Sequence, residues 1–199
     1  MFDKLTYYDQ AFDAIDVENN EIKDIVFENC KFIDCNFKEA SFCKCKFIDC
    51  CFKSSDLSLL NINGSSFSDV EFDSCKMTDI NWTLAWWPSI TLTSPIFFNH
   101  CDISFSSFYE LKLATLSIIN CKAQDTDFRG CHLDSADFTG TDLEKAEFMH
   151  TVLNNADFSN AINYVINPVE NSLANAKFSF PEVVNLLHTF DIKIEGISG

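Results

Sequence analysis

Large apolar residues recur at every fifth position along most of the chain. Each step of five from Phe12 reaches an apolar residue as far as Phe97, and after a shift of one residue the series resumes from Ile103 to Phe158. An amphipathic helix repeats every 3.6 residues and a strand every 2, so neither produces this pattern. A period of five predicts an internal repeat with one large inward side chain, here called the centre, in each unit.

The residue two places before each centre is small or moderately apolar. One large and one small inward residue per unit describe a chain that turns through a quarter of a coil, so that four units close a square. Backbone hydrogen bonds then join each coil to the next. The sequence therefore predicts an all-β solenoid over residues 1–162. Eight of the ten cysteines occupy the small position: Cys30, Cys35, Cys45, Cys50, Cys75, Cys101, Cys121 and Cys131.

The cysteine spacing does not indicate a metal site or a disulfide framework. There is no Cys-x-x-Cys pair, and the closest cysteines are Cys43 with Cys45 and Cys50 with Cys51. We expect the eight repeat cysteines to act as small buried apolar side chains. Cys43 and Cys51 fall outside the small position and are the better candidates for reactive thiols.

The repeat is interrupted between residues 82 and 98. Pro88 and Pro95 lie there and cannot donate to a backbone ladder. One interpretation is a distorted coil whose tryptophans fill an irregular core. The other is a bulge in which Trp86 and Trp87 offer an aromatic contact to a partner.

Residues 163–199 form the predicted C-terminal cap. Ser179 and Glu182 are spaced as a capping box around Pro181, which predicts a short helix, and a β-like tail follows at 192–194. A solenoid end needs covering, either by its own cap or by a second subunit. We expect a homodimer formed by the apolar stripe of the helix: Val183, Leu186, Leu187 and Phe190.

Residues 123–160 resemble the pentapeptide-repeat family. Thr126-Asp127-Phe128, Ala136-Asp137-Phe138 and Ala156-Asp157-Phe158 match the family signature A(D/N)(L/F)xx. The resemblance implies the family's fold, a right-handed quadrilateral β-helix. It covers about residues 12 to 162.

The order of features is similar to the topoisomerase-protecting branch of that family, the Qnr quinolone-resistance proteins and the microcin immunity protein McbG. The matching segments are 123–130, 137–140 and the tail from Ile166-Asn167-Pro168 to Ile194-Glu195-Gly196. This resemblance implies a partner, DNA gyrase, and a paired C-terminal tail. The sequence lacks two obvious loop insertions of the enterobacterial Qnr proteins, so the McbG-like arrangement is the closer match.

The formal charge of −16 narrows the kinds of partner that the protein is expected to bind. It argues against direct nucleic-acid binding and favours a basic partner. A rigid acidic rod is suited to a basic DNA-binding saddle, whereas the alternative is a solvated surface that maintains solubility. Residues twenty apart share a face, which gives the candidate acidic columns Asp49 with Asp69, Asp127 with Glu147, and Asp137 with Asp157.

No phosphate loop, nucleophile elbow or metal-binding histidine pair occurs. We therefore expect no enzyme activity, no cofactor and no metal, and the absence of a long apolar run predicts no membrane span. A cytoplasmic location is expected. Two functions remain open: a DNA mimic that binds and protects gyrase, and a structural or adaptor repeat protein with another protein partner.

Overall fold

The protein is a right-handed quadrilateral β-helix of about eight coils, as the period of five predicts. The computed structural model describes residues 2–88, 94–190 and 192. Leu92, which the sequence pattern counts as a centre, and the tail residues Lys193 and Ile194 lie outside this range.

The strands are short because each side of the square holds only one repeat. They are β1 (Thr6–Tyr8), β2 (Ala11–Asp13), β3 (Glu21–Lys23), β4 (Val26–Glu28), β5 (Lys31–Ile33), β6 (Ser41–Cys43), β7 (Lys46–Ile48), β8 (Cys51–Lys53), β9 (Ser66–Ser68), β10 (Val70–Asp73), β11 (Ile96–Asn99), β12 (Ser117–Ile119), β13 (Asp157–Phe158) and β14 (Lys177–Phe178).

Parallel pairing between residues twenty apart joins the coils. Phe27 pairs with Phe47, for example, and the backbone N–H of Lys46 donates to the carbonyl of Ile25 at 2.8 Å. Isolated bridges continue the same register where no strand forms. The repeats therefore stack into four flat faces, each with one column of inward centres.

Each face is named here after its centre in the first coil. The columns are the Tyr7 face (Tyr7, Phe27, Phe47, Phe67, Trp87, Leu113, Leu133, Leu153), the Phe12 face (Phe12, Phe32, Phe52, Phe72, Phe98, Ile118, Phe138, Phe158, Phe178), the Val17 face (Val17, Phe37, Leu57, Met77, Ile103, Ala123, Leu143) and the Ile22 face (Ile22, Phe42, Ile62, Trp82, Phe108, Phe128, Phe148).

Stacked aromatic rings fill the interior. Phe32 lies 4.5 Å from Phe52 with an interplanar angle of 12°, and Phe138 lies 4.9 Å from Phe158 at 8°. Rings of neighbouring faces meet edge to face, as Phe128 and Phe138 do at 82°. These are the two favoured aromatic geometries, so phenylalanine suits the centres of this core.

The small inward position has a hydrogen-bonding task as well as a steric one. The buried backbone N–H of Cys35 donates to Ser55 Oγ of the next coil at 3.0 Å, and that of Cys121 donates to Thr141 Oγ1 at 3.2 Å. The N–H of Cys101 uses Cys121 Sγ in the same way at 3.3 Å. Because a buried N–H needs a partner, Cys, Ser and Thr serve here better than alanine. The eight repeat cysteines are buried and all ten are free thiols, so their core role is confirmed.

In nearly every described repeat the corner, two residues after the centre, is left-handed. Asp49 has φ 50° and Asp69 φ 52°. Only glycine, asparagine and aspartate visit this region readily, which explains their frequency at the corners. At Gly140, with φ 68°, a Cβ would also collide with Asn120 Oδ1.

The frame shift falls one repeat earlier than the sequence pattern indicates, before Phe98 instead of after Phe97. Phe98, not Phe97, is the inward centre, since it is 1% exposed and pairs with Phe72. Phe97 is only half-buried. The two paired residues are 26 apart instead of twenty, so this coil carries six extra residues between Trp87 and Phe98. Two adjacent phenylalanines made the periodicity alone ambiguous.

The ladder continues beyond residue 162, where the sequence analysis ended the solenoid. Asp157 pairs with Lys177 and Phe158 with Phe178. Tyr164, fully buried, fills the interior where the strict period would place Asn163. A 3₁₀ helix follows at Glu182–Phe190. The Ser179 hydroxyl accepts the N–H of Asn160 at 3.1 Å and thus serves the preceding coil instead of forming the expected capping box.

The frame assignment predicts unequal losses of stability at the two adjacent phenylalanines. Phe98→Ala empties a site enclosed by Phe72, Trp82 and Phe108, and we expect it to lower the free energy of unfolding by about 3–5 kcal/mol. Phe97→Ala is the matched control and removes a half-buried ring, at a cost of about 1 kcal/mol. Chemical denaturation followed by circular dichroism measures both. Equal losses would contradict the assignment.

Candidate partner-binding surface

The residue before each centre folds back on its own turn when it is aspartate or asparagine. Oδ1 of Asp127 accepts the N–H of Arg129 at 3.0 Å, and Oδ1 of Asp137 accepts that of Thr139 at 2.9 Å. This local turn is a common use of Asp and Asn side chains. The carboxylates of the repeat signature therefore have a structural role, and their orientation outside the rod is fixed.

The first predicted column, Asp127 with Glu147, lies on the Ile22 face and the two residues are bridged. Arg129 binds Asp127 through two nitrogens, each at 2.9 Å, and its Nε lies 2.9 Å from Glu147 Oε2. Burial opposes ionisation of Asp127, but the hydrogen bonds from Arg129 outweigh it and lower the pKa of Asp127. One guanidinium thus offsets part of the charge of this column, which sequence spacing did not reveal.

The second column, Asp137 with Asp157, lies on the Phe12 face, opposite the first. The Ser159 side chain and then Lys177, whose Nζ is 3.1 Å from Asp157 Oδ2, lower the pKa of Asp157. The column continues for one coil beyond the predicted pair, and the residue that follows Asp157 in it is Lys177.

Asp49 and Asp69 differ from the other four residues. They are exposed at left-handed corners of the Tyr7 face, two residues after a centre instead of one before it. The six predicted acidic residues consequently lie on three faces, and the structure does not bring them together into one surface.

The Val17 face is a fourth acidic surface that the sequence analysis missed. Its ladder runs Asp16, Asn36, Asp56, Lys76, Asp102, Lys122 and Asp142. Lys76 approaches Asp56 only at 3.9 Å. The residues are twenty apart from Asp16 to Lys76 and again from Asp102 to Asp142. The step from Lys76 to Asp102 is 26 residues, so the sequence alone did not show that these two series form one ladder. This side also carries the carboxylates Glu18, Glu39, Asp79, Asp125 and Glu144 and the lysines Lys38 and Lys145, so its net charge is still negative.

The two tryptophans of the predicted bulge have different positions. Trp86 is 60% exposed and lines a groove of about 470 Å³ with Lys44 and Lys46. Trp87 is half-buried, stacks on Phe67 at 6.1 Å and donates its Nε1–H to the Trp82 carbonyl at 2.9 Å. Trp86 therefore has the geometry of a contact residue, and Trp87 that of a core residue.

The four residues proposed for a dimer lie on the C-terminal 3₁₀ helix. Leu187 is 39% and Phe190 47% exposed, whereas Val183 and Leu186 are half-buried and Leu186 packs against the core. Val165 and Phe180 also expose apolar surface near this end of the chain.

Burial disfavours the thiolate form of several core cysteines. Burial raises the pKa of Cys45 and Cys50 to about 11 and that of Cys131 to about 12. Cys43 and Cys51 are half-buried. Among residues 2–88, 94–190 and 192, no three His, Cys, Asp or Glu side chains are grouped to hold a metal ion. No helix in the described part of the chain is long and apolar enough to cross a membrane.

A square parallel β-helix holds its outward side chains in fixed columns. This arrangement defines a class of repeat proteins whose distinguishing feature is an ordered outer surface. The family model described as pentapeptide repeat region matches residues 25–94 and 96–163. The chain belongs to the pentapeptide-repeat family.

Two solved structures with this fold are forms of QnrB1, described as a plasmid-mediated fluoroquinolone resistance protein. A trypsin-treated variant is 20% identical, covers 93% of this chain and 98% of its own, and has a TM-score of 0.51. The full-length form is 18% identical, covers 92% and 100%, and also has a TM-score of 0.51. These likenesses show the fold. No curated protein matches the sequence.

Proposed function

We propose that the protein binds a type II topoisomerase, DNA gyrase, as a mimic of DNA and protects it from a quinolone or a peptide toxin. The observation that supports this most is a straight rod with a formal charge of −16 and carboxylates fixed in columns. The chain also shares its fold with QnrB1, which is described as a plasmid-mediated fluoroquinolone resistance protein, and this supports protection from a quinolone.

The spacing of the columns suits a surface that normally receives DNA. Adjacent coils are about 4.8 Å apart, and one strand of duplex DNA carries a phosphate every ~3.4 Å. The rod carries about one net negative charge per ~2.8 Å of its length, against one per ~1.7 Å for the duplex. Because backbone hydrogen bonds already hold the Asp127 and Asp137 side chains, little conformational entropy is lost when a cationic surface binds them.

The adaptor function is favoured by a different observation, the exposed Trp86 and the apolar residues near it. An adaptor would have a protein partner other than gyrase. Direct binding to gyrase at low salt, where charges are least screened, therefore separates the two functions.

The charge hypothesis predicts the effect of neutralising the Val17 face. Asn occupies the same position at Asn36 and keeps the turn-closing oxygen, so Asp16→Asn, Asp56→Asn, Asp102→Asn and Asp142→Asn together remove charge and preserve the fold. We expect the association rate with gyrase to fall several-fold at low salt, since distributed charge governs encounter. Surface-based kinetics over a salt series measures it.

The control for that variant removes positive charge from the same column, so the opposite effect is expected. Lys76→Gln with Lys122→Gln should raise the association rate. A supercoiling and quinolone-induced cleavage assay then checks whether binding protects. If gyrase does not bind the wild-type protein at low salt, the proposal fails and the adaptor function replaces it.

We also propose that the C-terminal helix pairs two subunits. Leu187→Lys places a charge within the exposed apolar stripe and should yield folded monomers, since Leu187 is partly exposed already. Leu5→Lys, at the other end of the rod and more exposed, should leave the dimer intact. Analytical ultracentrifugation distinguishes them, and a wild-type monomer at micromolar concentration would refute the dimer.

A further inference from the structure

Exposed apolar and aromatic side chains cluster on the Ile22 face and its edge with the Tyr7 face. Tyr109 is 45% and Met149 43% exposed, and Arg129 lies between them in the ladder. Leu84, in the preceding coil, and Trp86 continue the cluster toward the edge. These five residues are named here the Tyr109 patch.

The repeat does not require apolar residues at these positions. The residue after the centre on the same face is Lys23, Cys43, Asn63 or Thr83 in the earlier coils. The inward centres Phe108, Phe128 and Phe148 already bury the core beneath. The change to Tyr109 and Met149 in two of the three later coils is therefore independent of the fold, and such exposed patches mark interaction sites.

Arg129 is held in place before any partner arrives. Asp127 and Glu147 fix its guanidinium, which lies 5.7 Å from the centre of the Tyr109 ring. Tyrosine, tryptophan, arginine and methionine are the residues enriched at interface cores. A side chain that is already ordered loses little entropy on binding, so Arg129 suits the centre of an interface.

Carboxylates border the patch on two sides. Asp127 and Glu147 lie before the centres, and Glu110 occupies the corner beyond Tyr109. Gly130, the next corner, adds no side chain beside Arg129. The complementary surface has an apolar centre flanked by lysine or arginine.

We propose that gyrase docks on the Tyr109 patch through an apolar contact surrounded by basic residues. This inference rests on the proposed function and adds a face and a second kind of contact. Charge distributed over the rod attracts the basic partner, whereas the patch holds it. Long-range charge then sets the association rate, and the patch sets the dissociation rate.

The test uses substitutions that the chain itself contains at equivalent positions. Tyr109→Thr with Met149→Asn copies Thr83 and Asn63 and leaves every acidic residue in place. Ile33→Thr with Ile119→Thr is the matched control. Both isoleucines are half-buried and follow a centre, as Tyr109 and Met149 do, but they lie on the opposite Phe12 face. That face already has a threonine, Thr139, at this repeat position. Trp86→Ser, which copies Ser66, is a second variant within the patch.

We expect the Tyr109→Thr, Met149→Asn variant to bind gyrase at least about tenfold more weakly, through faster dissociation that persists in high salt. The control variant should stay within about twofold of wild type, and thermal melting should show that both remain folded.

Other outcomes separate the two proposals. If wild-type protein binds gyrase and the patch variants bind equally well, this inference is overturned while the proposed function stands. If the control variant loses more affinity than the patch variant, the contact lies on the Phe12 face. If the patch variant instead dissociates the dimer and its monomer binds gyrase normally, the patch is a self-contact. Absence of wild-type binding overturns both proposals.

Discussion

The parallel backbone ladder between residues twenty apart is the interaction on which the rest of the structure depends. It fixes which side chains point inward, because each coil must present its Phe, Leu or Ile directly over the one before. Lys46 N–H to Ile25 carbonyl and Phe37 N–H to Asp56 carbonyl are two bonds of this ladder. The small inward position completes it, since hydroxyls and thiols such as Ser55 Oγ accept N–H groups that the ladder leaves over.

Because the backbone ladder sets the register, the outward side chains can vary and can serve binding. Some outward positions are more constrained by the fold than others. The residue before the centre has two tasks, as Asp127 and Asp137 show by closing their own turns while presenting a carboxylate. Acidity at that position therefore does not by itself indicate a partner. The residue after the centre does not close a turn. The change from Asn63 and Thr83 to Tyr109 and Met149 is therefore better evidence for a partner-binding site.

Periodicity predicted the inward centres, the square coil and the burial of eight cysteines, because a period of five has few structural solutions. It did not resolve Phe97 from Phe98, because two adjacent apolar residues satisfy the pattern equally and tertiary packing selects one. The pairing of Arg129 with Asp127 and Glu147 also escaped prediction, since residue spacing gives a shared face but not side-chain conformation.

The proposed replacement of DNA by the rod on gyrase is tested most directly by an equilibrium competition. Fluorescently labelled duplex DNA bound to gyrase at low salt is titrated with the wild-type protein, and anisotropy reports the displacement. DNA mimicry predicts that the protein releases the DNA completely, with a midpoint that rises as DNA concentration rises. A ternary complex of gyrase, DNA and protein, with anisotropy that never falls to the free-DNA value, would contradict it.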